Sequence, residues 1–118
     1  MDPKELRIGN LVEYNNNGHP VKITALGINI LYYNIDCYSN YKSMNGIPLT
    51  EEWLLKLGFE KNTGWDEMII YQKDGVEILK VYNGFENGID VKINSVHQLQ
   101  NLYFVLTGKE LELEEINK

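Results

Sequence analysis

The sequence predicts an α+β protein made of antiparallel sheets, on three observations. Short runs rich in β-branched and aromatic residues, broken by Asn- and Gly-containing turns, occupy residues 1–46. Alternating runs of the same kind recur between Trp65 and Ile93. Two other stretches, Thr50 to Gly58 and Ser95 to Gly108, follow helical spacing and carry helix signals at both ends. The expected architecture is an N-terminal small antiparallel β-barrel or meander, SH3-like, over residues 1–46. An αβββα unit with an antiparallel sheet follows over residues 47–118. The two halves are expected to share one core, with the last helix between them.

Leu11 to Tyr14 reads as the first strand, led in by Leu6-Arg7-Ile8-Gly9-Asn10. Asn15-Asn16-Asn17-Gly18 is a turn, because Asn and Gly tolerate positive φ. Pro20 to Leu26 alternates as the second strand, and Gly27 bends the chain into a third, Ile28 to Tyr33. Ile35 to Tyr41 reads as a short or irregular fourth strand, and Ser43 to Gly46 as the hinge between halves. Thr50 then caps a helix in which Glu51 and Glu52 oppose the dipole, Leu49 and Leu54 form a hydrophobic staple, and Gly58 closes the end. Its expected buried face is Trp53, Leu54 and Leu57, with Phe59 packing back. Trp65 to Gln72 and Val76 to Tyr82 flank Asp74-Gly75 as a hairpin. Asn83 to Gly88 reads as a turn, and Ile89 to Ile93 as the last strand, with Ile89, Val91 and Ile93 on its apolar side. Ser95 and Gln98 make a capping box for the final helix, which Gly108 ends. Val96, Leu99, Leu102, Tyr103 and Leu106 form its core stripe. His97, Asn101 and Phe104 lie on the other side with Val105 beside them. The tail from Lys109 fits either an added strand or a longer helix through Leu111, Leu113 and Ile116.

The 118 residues suit one domain, or two very small ones sharing a core, and need no metal or disulfide for stability. Seventeen acidic and eleven basic residues give a net charge of −6. Residues 1–47 balance at four of each sign, so residues 48–118 carry the whole excess, with thirteen acidic and seven basic. That balance disfavours wrapping duplex DNA. Cys37 is the single cysteine and cannot form an internal disulfide, which fits a reducing cytoplasm. The N-terminal residues lack a signal pattern, and no apolar run reaches the roughly 20 residues of a membrane span. A cytoplasmic protein is expected.

Three blocks carry a resemblance: Leu6 to Val12, Ile47 to Phe59, and Val96 to Phe104 with its His-Gln-Leu-Gln-Asn-Leu-Tyr-Phe run. Together the sequence resembles an uncharacterised family of small proteins from Bacteroidetes genomes, their phages and other mobile elements. The blocks span nearly the whole chain, although Asn62 to Asn87 matches no motif of that family. The resemblance implies an accessory or mobile-element context and lends no activity, cofactor or catalytic residue.

His97 is the residue most inviting to chemistry, as a base or ligand beside Gln100 and Asn101. No carboxylate or nucleophile stands at helical spacing from it, so a structural role is favoured. Cys37 and His19 lack an orienting Asn or Asp, and Cys37 reads as a half-buried hydrophobe. One cysteine and two distant histidines fall short of a metal ligand set, and no phosphate loop, dinucleotide fingerprint or serine elbow occurs. Asp66 and Glu67, adjacent on an expected strand, would point apart, and Glu51 and Glu52 serve the helix dipole. Tyr32, Tyr33, Tyr38 and Tyr41 place half of the eight tyrosines within ten residues, a candidate aromatic surface for a peptide or a base. High β propensity is the plainer account of the same cluster. Only Lys22 and Lys42 lie nearby, which weighs against nucleic acid. Phe104 and Val105 fit interdomain packing, with self-association as a homodimer the competing use. The functional expectation is therefore a non-enzymatic protein-interaction module, without cofactor or metal, that binds another protein through Tyr32, Tyr33, Tyr38, Tyr41, His97, Asn101 and Phe104. The alternative is a nucleic-acid-associated accessory protein, or an acidic inhibitor of a nucleic-acid-binding protein.

Overall fold

Asparagines that accept positive φ set the first turn. Asn15 and Asn16 stand at φ 51° and 54°, between strand β1 (Leu11–Tyr14) and strand β2 (Pro20–Leu26). The computed structural model describes residues 1–34, 36–81, 84–87 and 91–113. It is α+β, with two antiparallel five-stranded sheets. The chain forms two units: Met1–Pro48 with Ser95–Asn101, and Leu49–Asn94 with Leu102–Lys118.

In the first unit, β3 (Ile30–Tyr33), β4 (Cys37–Asn40) and β5 (Met44–Gly46) follow β2. The sheet order is β4-β3-β2-β1-β5. β1 pairs with β2 on one side and β5 on the other, and β2 is bulged between Ile23 and Ala25 where it meets β3. The expected hinge at Ser43 to Gly46 is instead a 3₁₀ turn running into β5, which gains a ladder on β1. Asn40 caps that turn by accepting the Ser43 amide at 3.0 Å, which leaves Tyr41 outside the strand. Ile35 lies outside the described residues. β4 and β5 are the two ends of the sheet, and among the described residues no ladder joins them, so the barrel is not closed. Leu6, Val12, Ile23, Leu31, Tyr41 and Met44 form its core. Burial of each contributes about 1.5–3 kcal/mol.

The second unit starts with helix α1 (Glu51–Lys56), where Thr50 Oγ1 accepts the Trp53 amide at 3.3 Å. Leu49, Leu54, Leu57 and Phe59 are buried, and Gly58 ends the helix at φ 91°. The sheet has five strands rather than the three expected: β6 (Glu60–Thr63), β7 (Ile69–Lys73), β8 (Val76–Val81), β9 (Gly84–Asn87) and β10 (Val91–Ile93), in order β10-β9-β8-β7-β6. β6 is Glu-Lys-Asn-Thr and wholly exposed, so it carries no apolar alternation. Its backbone ladder to β7 holds it, aided by an Asn62–Gln72 side-chain bond of 3.1 Å. The expected turn at Asn83 to Gly88 is, from Gly84 to Asn87, a strand. Phe85 anchors it, 5% exposed and edge-on to Tyr71 at 6.0 Å. Asp66 and Glu67 are not on a strand: both take positive φ in a 3₁₀ turn, and β7 begins only at Ile69. Asp74-Gly75, at φ 51° and 83°, makes the expected hairpin turn. Tyr82, Asn83, Gly88, Ile89 and Asp90, and the tail from Glu114 with Ile116, lie outside the described residues.

Helix α2 (Val96–Thr107) ends on Gly108 at φ 75°, whose amide bonds the Phe104 carbonyl at 2.8 Å. Ser95 receives the expected return bond, its amide donating to Gln98 Oε1 at 3.2 Å. Val96, Leu99 and Tyr103 are buried, but Leu106 is 54% exposed and Phe104 37%. The buried arc is thus narrower than the apolar arc, and Phe104 is not enclosed between layers. Leu111 is buried beyond the helix with no regular secondary structure.

Candidate functional sites: a buried polar network and an aromatic sheet face

His97, Gln100 and Asn101 stand at i, i+3 and i+4 on α2, so they share a face one turn long. That face holds the segment from Glu5 to Leu11. Gln100 Oε1 accepts the Leu11 amide at 2.8 Å, and its Nε2 donates to the Gly9 carbonyl at 3.2 Å. Asn10 donates from Nδ2 to Asn101 Oδ1 at 2.9 Å and to Gln100 Oε1 at 3.4 Å, while its Oδ1 accepts the Arg7 amide at 2.6 Å. Asn101 Nδ2 donates to the Glu5 carbonyl at 2.8 Å. Asn10 and Gln100 are 1% and 2% exposed, so these bonds answer polar groups that water does not reach. Two of the three sequence blocks, Leu6 to Val12 and Val96 to Phe104, therefore meet in one network.

His97 is 3% exposed and bonded at both nitrogens, Nδ1 to Ser95 Oγ at 3.1 Å and Nε2 to Glu5 Oε1 at 3.1 Å. With Glu5 ionised, Nε2–H donates to the carboxylate and Nδ1 accepts the serine hydroxyl, which satisfies a neutral ring. Burial pushes the His97 pKa below its ordinary value and outweighs the hydrogen bond and charge of Glu5, which push it up. The sequence expectation found no partner for His97 because both partners lie off the helical spacing, one of them 92 residues away. Serine, histidine and carboxylate in a row invite comparison with a hydrolytic triad. Here, however, Gly46 lies across the group: a Cβ on it would fall 2.9 Å from His97 Cε1 and 3.2 Å from Ser95 Cβ. Ser95 is 8% exposed, and the solvent-facing member is Glu5 rather than the hydroxyl. The arrangement fixes the N-terminal segment to the helix start, with the Gly46 backbone close against the ring and the serine.

The tyrosines divide between two faces of the first sheet. Tyr32 and Tyr38 are directly opposed on β3 and β4, with ring centroids 6.0 Å apart, and are 42% and 66% exposed. Tyr33, one residue on, points the other way and stacks on Tyr14 at 6.1 Å. Its pKa is raised, chiefly by burial and then by neighbouring Cys37. Tyr41 is buried and donates to the Gly27 carbonyl. Ile30 (37% exposed) shares the outer face of β3 with Tyr32, and Ile28 (91% exposed) stands in the β2–β3 loop, whereas Leu26 opposes buried Leu31 and so lies on the other face. Comparison with protein-family models, curated proteins and solved structures gave no match. Cys37 is exposed rather than half-buried.

In the second unit, the Tyr103 hydroxyl donates to Asp74, and burial with that bond raises its pKa to about 12. Its ring lies edge-on to Phe59 at 6.3 Å. Lys73 Nζ donates to the Leu57 carbonyl at 2.8 Å, at the end of α1. A polar concavity of about 280 Å³ opens beside the β7–β8 turn, lined by Glu60, Gln72, Lys73, Asp74 and Glu77. Among the described residues, no three His, Cys, Asp or Glu side chains are placed to hold a metal. No described helix is long and apolar enough to cross a membrane.

Proposed function

We propose that the chain is a non-enzymatic protein-interaction module, accessory in role, that docks another protein on the outer face of β2, β3 and β4. The observation that carries this reading is the alternation of β3. It buries Leu31 completely and presents Ile30 and Tyr32 outward, next to Tyr38 and the protruding Ile28. Thr24 to Asn34 and Cys37 to Asn40 contain no charged residue, so the face suits an uncharged protein surface better than phosphates. The order β4-β3-β2-β1-β5, with a 3₁₀ turn joining β4 to β5, supports an SH3-like reading of this unit. The meeting of two sequence blocks in the buried network supports treating the resemblance as one inherited unit, in a phage or mobile-element context and in the cytoplasm. His97 and Asn101 then act by holding that unit together, and Phe104 belongs to a separate exposed ridge.

The test compares proteins captured by the tagged wild-type chain with those captured by Ile28→Ser/Tyr32→Ser, after nuclease treatment of the lysate. Partners kept through nuclease and lost from the double variant are expected. Capture that vanishes with nuclease would move the nucleic-acid reading to first place. Capture unchanged in the double variant would remove this face from the reading.

A further inference from the structure

Four strand edges close the two sheets, and β4 differs from the other three. β6 carries Glu60 and Lys61, β10 is three residues long with Lys92 at its centre, and β5 is three residues long with Met44 buried. Charge and shortness are the usual means of keeping an edge unpaired. β4 is Cys37-Tyr38-Ser39-Asn40, with neither charge nor proline, and among the described residues it pairs with β3 alone. In an antiparallel ladder every second residue turns its amide and carbonyl away from the neighbour, so β4 offers a set of backbone groups outward.

We propose that β4 pairs antiparallel with β4 of a second copy of this chain, about a twofold axis near Tyr38 and Ser39. The flanking charges specify both partner and direction. Asp36 precedes β4 and Lys42 follows it, both exposed. Antiparallel self-pairing brings Asp36 of each copy toward Lys42 of the other, twice over, whereas parallel pairing would oppose like charges. The half of the chain that carries β4 is balanced, so the net −6 of the protein does not concentrate at this contact. Tyr38 of each copy meets near the axis, which continues the Tyr32–Tyr38 pair into a longer aromatic row. The pairing uses the edge backbone and Tyr38 but not Ile28 or Tyr32, and so is separable from the docking reading above.

Sedimentation equilibrium of the full chain, from micromolar to millimolar concentration, should show a reversible monomer–dimer equilibrium. Asp36→Lys and Lys42→Asp should each weaken it roughly tenfold. The double variant Asp36→Lys/Lys42→Asp should recover wild-type affinity, because it exchanges the two ends. A nitroxide on Cys37 reports the geometry, since pairing puts the two Cys37 α-carbons roughly 12 Å apart. Dipolar broadening in the dimer is expected. A chain monomeric at every concentration would overturn the proposal, as would a dimer that the charge exchange fails to restore or that shows no broadening. Ile28→Ser/Tyr32→Ser should leave the dimer intact, so loss of protein capture and loss of dimerisation are separable.

Discussion

The first and last turns of α2 are held by opposite chemistry. Its first half, to Asn101, presents amides and an imidazole, and fastens its unit through hydrogen bonds to backbone groups of Glu5, Gly9 and Leu11. Its second half, from Leu102, presents Tyr103, whose ring packs edge-on to Phe59 while its hydroxyl reaches Asp74. Hydrophobic contact is non-directional and tolerates exchange of shape, whereas a buried amide network permits one register. The polar half therefore specifies where the N-terminal segment lies, and the aromatic half supplies adhesion. The cost of losing a side chain should follow that division.

Among the polar contacts of α2, Gln100→Leu should produce the largest effect. Leucine fits the volume but leaves the Leu11 amide and the Gly9 carbonyl without their partner, and both are lost from a site that water does not enter. An unsatisfied buried group costs about 1–3 kcal/mol, so the variant should lose about 2–4 kcal/mol in urea unfolding. A loss below about 0.5 kcal/mol would mean that the network is solvated and specifies nothing.

His97 sharpens the comparison through pH. Its folded pKa is depressed, so the unfolded chain binds its proton more readily than the folded one. The contribution is fully present above the unfolded value near 6.5 and declines as pH falls from there toward the folded pKa. Urea midpoints measured at pH 7.5 and pH 5 should show a loss on acidification that His97→Gln removes. The opposite sign, with stability gained on acidification through 6.5, would mean that Glu5 outweighs burial at this ring.

Local pattern made part of this legible. β1 and β2 match their expected bounds because apolar alternation and an Asn-rich turn agree there. β6 and β9 were not legible: one has no apolar residue, and the other places Phe85 among Gly, Glu and Asn, where turn composition hides a core side chain. Partners of His97 and Gln100 lie some 90 residues away, and no periodicity reports a contact of that separation. One division was within reach of the sequence, yet the expectation put all four tyrosines on one surface. Neighbouring strand residues point to opposite faces, so Tyr32 and Tyr33 could not share a surface.

The smallest effect is expected at the residue beside the most adhesive one. Phe104 and Tyr103 are consecutive, yet one is 37% exposed and the other 2%. Phe104→Asp should cost about 1 kcal/mol, through partial loss of apolar burial and a carboxylate near the negative end of the helix dipole. Tyr103→Asp places a charge where the ring now packs on Phe59, and should cost more than about 3 kcal/mol. Thermal and urea unfolding of the two variants measure the contrast. Equal losses would mean that Phe104 is covered in solution, and the exposed ridge it shares with Val105 would then be an occupied surface. A loss confined to Tyr103 would keep the adhesion of this half on one face of the helix, with Phe104 and Val105 on its more exposed side.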